Sequence, residues 1–283
     1  MVPLVRSLIV ISAVTLSTPG VSLAQLATPN REGVTMGHVH YHVADIDAHK
    51  TFWVALGAMP FKFGTTDVMK LPELLIFLTK ADASGSTEGS VVSHVAFKVS
   101  DLSSVREALA KAGQKIVSPG MVHTPAGDAV ELFDGNTEIV KFIPEPGHGD
   151  AAAHRHSRRM TGPIATHHIH LYIPEGADDQ ARDWYVRMFG AAPGIRFRYT
   201  AADLPGMTMN FLGQPDAKAR TRGRTLDHIG FEIRGLEAFC RTLEAKGVKF
   251  DVPYKKQPNG VASAFLTDPW GTYIELTEGL SGL

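Results

Sequence analysis

Four stretches of the chain share one pattern, in which a histidine opens a run of alternating apolar and polar positions. Such a period of two is typical of a strand with two different faces. A segment with apolar residues at helical spacing follows each run directly. The pattern predicts four strands, at His38–Val43, His94–Val99, His168–Ile173 and His228–Ile233.

Cap residues bound the four helices. Asp45 and Asp101 stand where N-cap residues are preferred, and Gly113, Gly190 and Gly247 stand where glycine commonly ends a helix. The predicted helices are Ile46–Leu56, Leu102–Ala112, a third from Asp178 or Asp179 to Phe189, and Leu236–Lys246.

Short strand-like runs close each of the four units. Single strands are predicted at Leu74–Thr79 and Thr208–Leu212, and hairpins at Glu131–Ile143 and Phe265–Thr277, with turns at Asp134–Asn136 and Asp268–Gly271. Lys141 follows His94 at the same distance along the chain as Glu275 follows His228. The two halves are therefore predicted to be a duplication, with Lys141 at the position of Glu275.

The repeat predicts an α+β fold of four βαβββ units, paired into two tandem domains at residues 36–145 and 165–278. Residues 146–163 between them are rich in Gly, Ala, His and Arg without apolar periodicity, which indicates a linker. Its histidines, His148, His154 and His156, have no carboxylate or rigid scaffold in the sequence beside them. A solvated linker is favoured over a metal site.

Residues 1–24 have the features of a signal peptide. Arg6 is followed by the apolar run Leu8–Leu16, and small residues precede a predicted cleavage site after Ala24. The run is too short to cross a bilayer, which needs roughly 20 residues. We therefore expect an exported protein, periplasmic or secreted, with no membrane anchor after cleavage.

The charge and the cysteine count of the chain exclude some classes of partner and of covalent bond. A net charge of -1 and a pI near 6.9 give no electrostatic case for binding nucleic acid or an anionic membrane. Cys240 is the only cysteine, which excludes an intramolecular disulfide. It lies on the apolar face of a predicted helix and is interpreted as a core residue.

The four units, together with the closing segment Phe265–Leu276, resemble the vicinal oxygen chelate superfamily. This superfamily includes glyoxalase I, extradiol ring-cleaving dioxygenases and bleomycin-binding proteins, and the resemblance covers about residues 36–278. It implies that paired units curl into an open cup around a metal ion, and that the partner is a small-molecule substrate. It also implies that the last hairpin carries the carboxylate ligand, which is Glu275 here.

His168 and His228 hold equivalent positions in their units, so we expect them to meet Glu275 across the C-terminal cup. Two imidazoles and one carboxylate form the facial triad of non-haem Fe(II) enzymes. Fe²⁺ is the first choice, and Zn²⁺, Mn²⁺ and Ni²⁺ are alternatives. The lysine ammonium of Lys141 offers no lone pair to a metal.

The N-terminal half, with His38 and His94, is therefore expected to be empty, structural or adapted to an anion. An inward-facing set of His38, His40 and His42 remains a weak alternative metal site without a carboxylate.

His170 shares the inward face of His168 and is a candidate for proton transfer, since imidazole titrates near neutrality; a packed histidine is an equal alternative. His167 is expected to point away.

The extradiol pattern would place a tyrosine at Phe265 and a histidine near Lys256–Pro258, and this chain has neither. The candidates to replace them are Tyr254, Lys256, Asn259 and Tyr273.

Arg196 and Arg198 alternate on a predicted strand. They are interpreted either as a solvent-facing pair that protects a sheet edge or as a partner for a substrate carboxylate. The last strand of the third unit carries Asn210 and no acid, which leaves three metal ligands. This favours an extradiol-like dioxygenase over a glyoxalase- or epimerase-like lyase or isomerase. A binding protein without turnover is the third hypothesis.

Overall fold

The computed structural model describes residues 26–135, 137, 141–150, 154–157, 160 and 162–283, so the predicted signal peptide lies outside the described residues. In the described part of the chain the element order βαβββ occurs four times, with one additional strand after the second unit. The predicted fold class, an α+β fold of four such units, is confirmed.

The first half of the chain contains two units and the additional strand. Unit 1 consists of β1 (Val34–Val43), α1 (Ile46–Ala55), β2 (Met59–Phe63), β3 (Thr66–Leu71) and β4 (Leu74–Lys80). Unit 2 consists of β5 (Val92–Val99), α2 (Leu102–Lys111), β6 (Ile116–Ser118), β7 (Met121–His123) and β8 (Ala129–Asp134), and β9 (Phe142–Pro144) follows it.

The second half contains the other two units. Unit 3 consists of β10 (Ile164–Pro174), α3 (Asp178–Phe189), β11 (Ala192–Arg196), β12 (Tyr199–Leu204) and β13 (Met207–Gln214). Unit 4 consists of β14 (Leu226–Ile233), α4 (Leu236–Ala245), β15 (Phe250–Lys256), β16 (Ala262–Thr267) and β17 (Tyr273–Glu278). None of the described helices has the length and apolar character that a membrane crossing requires.

The predicted helices are confirmed to within about a residue at each end, as expected when caps define them. The carboxylates of Asp45 and Asp101 accept hydrogen bonds from the backbone N–H of Ala48 and Ser104. Gly190 ends α3 in the left-handed conformation, with φ of 66°.

The predicted second hairpin, Glu131–Ile143, is wrong. β8 pairs with the preceding strand β7, and β9 pairs with β11 of unit 3. The turn of unit 2 lies at Gly127, whose N–H donates to the carbonyl of Thr124 (2.9 Å). Lys141 precedes β9 and is not on the strand beside His94, so it is not the counterpart of Glu275.

Each of the two sheets combines one unit from each half of the chain. Units 1 and 4 form an eight-stranded sheet with the order β15-β16-β17-β14-β1-β4-β3-β2. Units 2 and 3, with β9, form a nine-stranded sheet with the order β6-β7-β8-β5-β10-β13-β12-β11-β9. The halves 36–145 and 165–278 therefore do not form separate sheets, although their boundaries along the chain stay a prediction.

The hydrophobic core lies between the sheets and the helices. Along β1, Val39, Tyr41 and Val43 are buried in this core, while His38 points to the opposite face of the strand. Aromatic residues of the helices contact both sheets: Trp53 of α1 reaches β1 and β5, and α3 reaches β13 and β14. Cys240 is buried in the core, as predicted, and burial raises its pKa to about 11.

Part of the predicted linker packs against the nine-stranded sheet. Arg155–Ser157 form one 3₁₀ turn, and His156 is 4% exposed. His154 donates to Asp203 from Nε2 (2.7 Å), and Arg155 forms an ion pair with the same carboxylate (3.0 Å). The interpretation of His154 and His156 as solvated is wrong, because Asp203 supplies the carboxylate that the linker sequence lacks, whereas His148 is exposed as predicted.

Candidate metal centre

The last strand of each of the four units carries one position at which a metal ligand could stand. In each unit the first strand pairs in parallel with the last, and the residue two after its histidine lies beside one position of that last strand. In chain order these positions are Phe77, Glu131, Asn210 and Glu275. Because the units pair as 1 with 4 and 2 with 3, they contribute to two separate sites.

Site A consists of His38, His228 and Glu275, on β1, β14 and β17. Oε2 of Glu275 lies 2.9 Å from Nε2 of His38 and 3.1 Å from Nε2 of His228. The histidines are 1% and 5% exposed. Two imidazoles and one carboxylate therefore converge from three strands on one point, as a facial triad requires.

A second carboxylate stands behind His228. Nδ1 of His228 lies 2.6 Å from Oδ1 of Asp227, which leaves Nε2 directed at Glu275. A histidine held this way is the usual arrangement at metal sites, because the carboxylate fixes the orientation of the ring. When Nε2 carries no proton, its lone pair faces a carboxylate oxygen, and His228 and Glu275 would both be satisfied as ligands of a divalent cation. The donor set fits a metal ion.

The electrostatics of site A favour a cation. Burial alone would raise the pKa of Glu275, but hydrogen bonds from His228 and His38 outweigh it and hold this pKa well below its ordinary value. Burial alone would lower the pKa of His228, but its hydrogen bonds with Asp227 and Glu275 outweigh it and raise this pKa. When His228 is protonated, its two N–H groups can donate to Asp227 and to Glu275.

Aromatic side chains form the walls of site A. Phe77 lies on β4 at the position equivalent to Glu275. Its ring packs edge-on against His38, with ring centroids 5.1 Å apart. On the other side Phe265 lies 5.4 Å from the ring of His228 and stacks on Tyr273. The His40 ring is 4.7 Å from His228, and its Nε2 bonds to Thr79 Oγ1 (2.8 Å).

Site B consists of His94, His168, His170 and Glu131, on β5, β10 and β8. Oε2 of Glu131 lies 3.1 Å from Nε2 of His94 and 3.4 Å from Nε2 of His168. The two Nε2 atoms are 3.2 Å apart. The triad geometry of site A therefore recurs here, but a guanidinium accompanies it: Nη2 of Arg196 is 3.3 Å from Nε2 of His168.

Arg196 changes the charge of site B. It is 4% exposed, and β11 lies between two other strands, so the prediction of a solvent-facing edge pair is wrong for Arg196. Burial, and then the charge of Arg196, holds the pKa of His168 well below its ordinary value. Arg198 lies beyond the turn and is exposed, because Phe197 takes a positive φ there.

The structure does not bring the three predicted ligands together. His228 and Glu275 meet in site A, but their partner there is His38, and His168 lies in the other sheet with His94. The physical reason is the pairing of β1 with β14 and of β5 with β10, which joins units from different halves.

The predicted catalytic residues are scattered. His170 lies in site B, and its equivalent beside site A is His40. Tyr273 lies at site A, 5.9 Å from the ring of His228. Tyr254 packs against the hydrophobic core, and Asn259 accepts a hydrogen bond within its own turn.

His167 does not point away from the site. It is fully buried, and its Nδ1 lies 2.8 Å from Nδ1 of His168. The pairing of β10 with β5 shifts between Thr166 and His168. This bulge turns two successive side chains toward the same side, which strand alternation cannot predict.

The family of the chain follows from its sequence. Residues 128–276, more than half of the chain, match the model of the Glyoxalase/Bleomycin resistance protein/Dioxygenase superfamily. The chain belongs to this superfamily. No curated protein sequence matches it.

Solved structures of the superfamily share the fold. Glyoxalase I from Zea mays is similar with a TM-score of 0.64 at 14% identity, over 88% of this chain and 94% of that one. A protein from Bacillus subtilis described as a "putative dioxygenase" is similar with a TM-score of 0.59 at 14% identity, over 90% and 86% of the two chains. At these identities the likeness shows the fold alone.

Proposed function

We propose that this protein is a divalent-metal-dependent dioxygenase that binds its metal at site A and acts on a small compound with vicinal oxygens. The observation that carries the proposal is Phe77. The strand position that could supply a fourth ligand holds a phenyl ring against His38. Three protein ligands leave roughly half of an octahedral shell for substrate and oxygen.

The metal choice follows the donor set. Two imidazoles and one carboxylate suit Fe²⁺ first, with Mn²⁺, Zn²⁺ and Ni²⁺ as alternatives. When bound, such an ion supplies Lewis acidity to the oxygens of a chelating substrate. Phe265 and Tyr273 offer flat apolar faces beside the triad, which favours an aromatic or other planar compound.

His40 replaces His170 in our assignment of a polar group near the substrate. Burial, then the charges of His228 and His38, lowers its pKa to about 2, so it is neutral at physiological pH. A neutral imidazole can donate one hydrogen bond and accept another. We assign to it the positioning of a substrate hydroxyl, since Phe265 has none to offer.

A lyase or isomerase is the alternative, and metal and oxygen dependence separate the two. In the proposed case, purified protein carries about one metal ion per chain and consumes O₂ with Fe²⁺ and catecholic compounds. Turnover with Ni²⁺, Zn²⁺ or Mn²⁺ and no O₂ demand would favour the lyase or isomerase. Stabilisation by such compounds without product would favour a binding protein, and metal content below about 0.2 per chain would contradict all metal-dependent versions.

We also propose that the protein works outside the cytoplasm, which the pattern of residues 1–24 supports. Mass spectrometry of the mature protein from cell fractions tests this. We expect an N-terminus at Gln25 in the periplasm or medium, and an intact N-terminus in the cytoplasm would contradict export.

A further inference from the structure

Arg196 is a buried cation without an ion pair among the described residues. It is 4% exposed, its Nε has no hydrogen-bond partner, and Nη2 contacts only the neutral nitrogen of His168 (3.3 Å). Burial lowers its pKa to about 10, which keeps it charged at neutral pH. A buried charge normally has a partner of opposite sign, because leaving water unpaired is costly.

Two neighbours on the same face also have unsatisfied polar atoms. Nε2 of His170 and both side-chain atoms of Asn210 are buried without a partner in the described structure. His170 and Asn210 are paired positions of β10 and β13, so their side chains lie on one side of the sheet. Native proteins rarely leave such atoms unpaired, and a cluster of them requires an explanation.

Tyr199 connects these groups in space. Its ring contacts His170 edge-on with centroids 4.6 Å apart, and the guanidinium of Arg196 lies 5.9 Å from the same ring. Arg196 is the strand partner of Tyr199, so both project to this face. The unsatisfied polar atoms therefore surround one region of site B, on the side away from β8.

We propose that site B binds a small organic carboxylate between Arg196, His170 and Asn210. The planar fork of a guanidinium matches a carboxylate, and the Asn210 amide and the imidazole of His170 supply further donors to its oxygens. A single negative charge would pair directly with the guanidinium, which Glu131 attracts without forming an ion pair. A dianion such as phosphate would place excess charge near Glu131, the carboxylate across the site.

Arg196 also explains why an anion, and not a second metal, suits site B. Nε2 of His168 would be a metal ligand, but it faces the guanidinium at 3.3 Å. A divalent ion at this point would be repelled by that charge. Glu131, with its side chain 26% exposed, already lies within hydrogen-bonding reach of His94.

Thermal unfolding of the full-length protein, dialysed against EDTA so that no metal at site A binds the anion, tests the proposal. Sodium acetate is expected to raise the unfolding temperature saturably, while sodium chloride at the same ionic strength does not. Absence of a saturable acetate effect beyond that of chloride would overturn the proposal.

Variants assign the effect to site B. Arg196→Gln is expected to weaken acetate binding at least about tenfold, the effect of a lost hydrogen bond to a charged group. Arg241→Gln is the matched control, because Arg241 is an exposed arginine on α4, away from site B, and it should bind acetate like the parent. Equal binding by parent and Arg196→Gln would overturn the proposal.

Asn210→Leu covers the case in which Arg196→Gln folds poorly. It removes the unsatisfied amide at similar volume, so the protein without acetate should unfold at the same or a higher temperature. Its acetate affinity should nevertheless fall by several-fold, and an unchanged affinity would contradict the assigned role. A second divalent ion per chain, lost in His94→Ala, would identify site B as a metal site instead.

Discussion

Sites A and B are built from the same strand positions, yet they differ in the groups behind the ligands. In site A the residue before His228 is Asp227, whose carboxylate holds Nδ1 of the ring. In site B the residue before His94 is Ser93, a neutral hydroxyl 3.0 Å from Nδ1. The first arrangement strengthens an imidazole as a ligand, and the second does so less.

The two sites also differ in the charged groups that surround them. Site A has two carboxylates, Glu275 and Asp227, around its histidines, whereas site B has the carboxylate of Glu131 and the guanidinium of Arg196. One donor geometry therefore gives an acidic site and a nearly balanced one. The comparison teaches that the groups around a His-His-Glu set, and not the set alone, determine whether a cation binds.

Removal of the carboxylate ligand is expected to change the metal content of the protein most. Glu275→Gln is expected to reduce the metal content of the purified protein from about one ion per chain to less than about 0.2, because the amide brings no charge. Glu131→Gln, the same change in site B, should keep about one ion. Elemental analysis distinguishes them, and a greater loss in Glu131→Gln would reverse the assignment of the two sites.

Gly230 provides a test of geometry alone. The His38 ring packs against its Cα, and a Cβ there would overlap the ring. In site B the same position holds Ala96, the strand partner of His168. Gly230→Ala should therefore displace His38 and weaken metal binding about tenfold to a hundredfold.

Ala96→Gly is the matched control and should bind metal like the parent. Isothermal titration with Zn²⁺ or Mn²⁺ measures both affinities, and circular dichroism checks the fold. Parent-like affinity in Gly230→Ala would mean that His38 is not a ligand.

The sequence was sufficient to predict the units but not their pairing. Strand alternation and caps such as Asp45 and Asp101 act over a few residues, and the helices they predict agree with the structure. Each unit opens with the same kind of strand, so nothing local determines that β1 pairs with β14. That choice depends on how the helices and sheets pack, and His168 was assigned to the wrong partners for this reason.

Glu131 was missed although the sequence contains its signal. Pro125 to Leu132 repeats the spacing of Pro269 to Leu276, with a glycine, an apolar residue and Glu-Leu at matching positions. The distance from the histidine to the glutamate differs between units 2 and 4, because β6, β7 and the turn between them are shorter than β15, β16 and their turn. Arg196 had no such signal, since its burial depends on the pairing of β9 with β11.

The difference between Asp227 and Ser93 predicts a smaller change in metal affinity. Asp227→Asn keeps an oxygen to accept the hydrogen bond from the backbone N–H of Gly223 but removes the charge behind His228. Metal affinity should fall about tenfold, as for other carboxylates that orient a ligand histidine. Ser93→Ala, the equivalent change in site B, should have no effect, and an equal loss in both variants would argue against the role of Asp227.

The smallest expected effect is on the pH dependence of stability, because the pKa values of His228 and His168 are shifted in opposite directions. The pKa of His228 is raised, so its protonation stabilises the metal-free protein fully below its unfolded value of about 6.5, and this contribution is lost as the pH rises through the folded pKa. The pKa of His168 is lowered, so site B adds no such loss in this window.

Other buried histidines with a lowered pKa, among them His40, His156 and His170, add stability as the pH rises through about 6.5, so the test is a comparison between variants. After dialysis against EDTA, the unfolding temperature of the parent relative to His228→Gln should fall from about pH 6 to about pH 8. Relative to His168→Gln it should rise over the same range. Metal binding requires a neutral His228, so affinity should rise over the same window with release of a proton. A pH profile unchanged in His228→Gln would show that His228 takes up no proton between Asp227 and Glu275, and the similarity of the two sites would then extend to their charge.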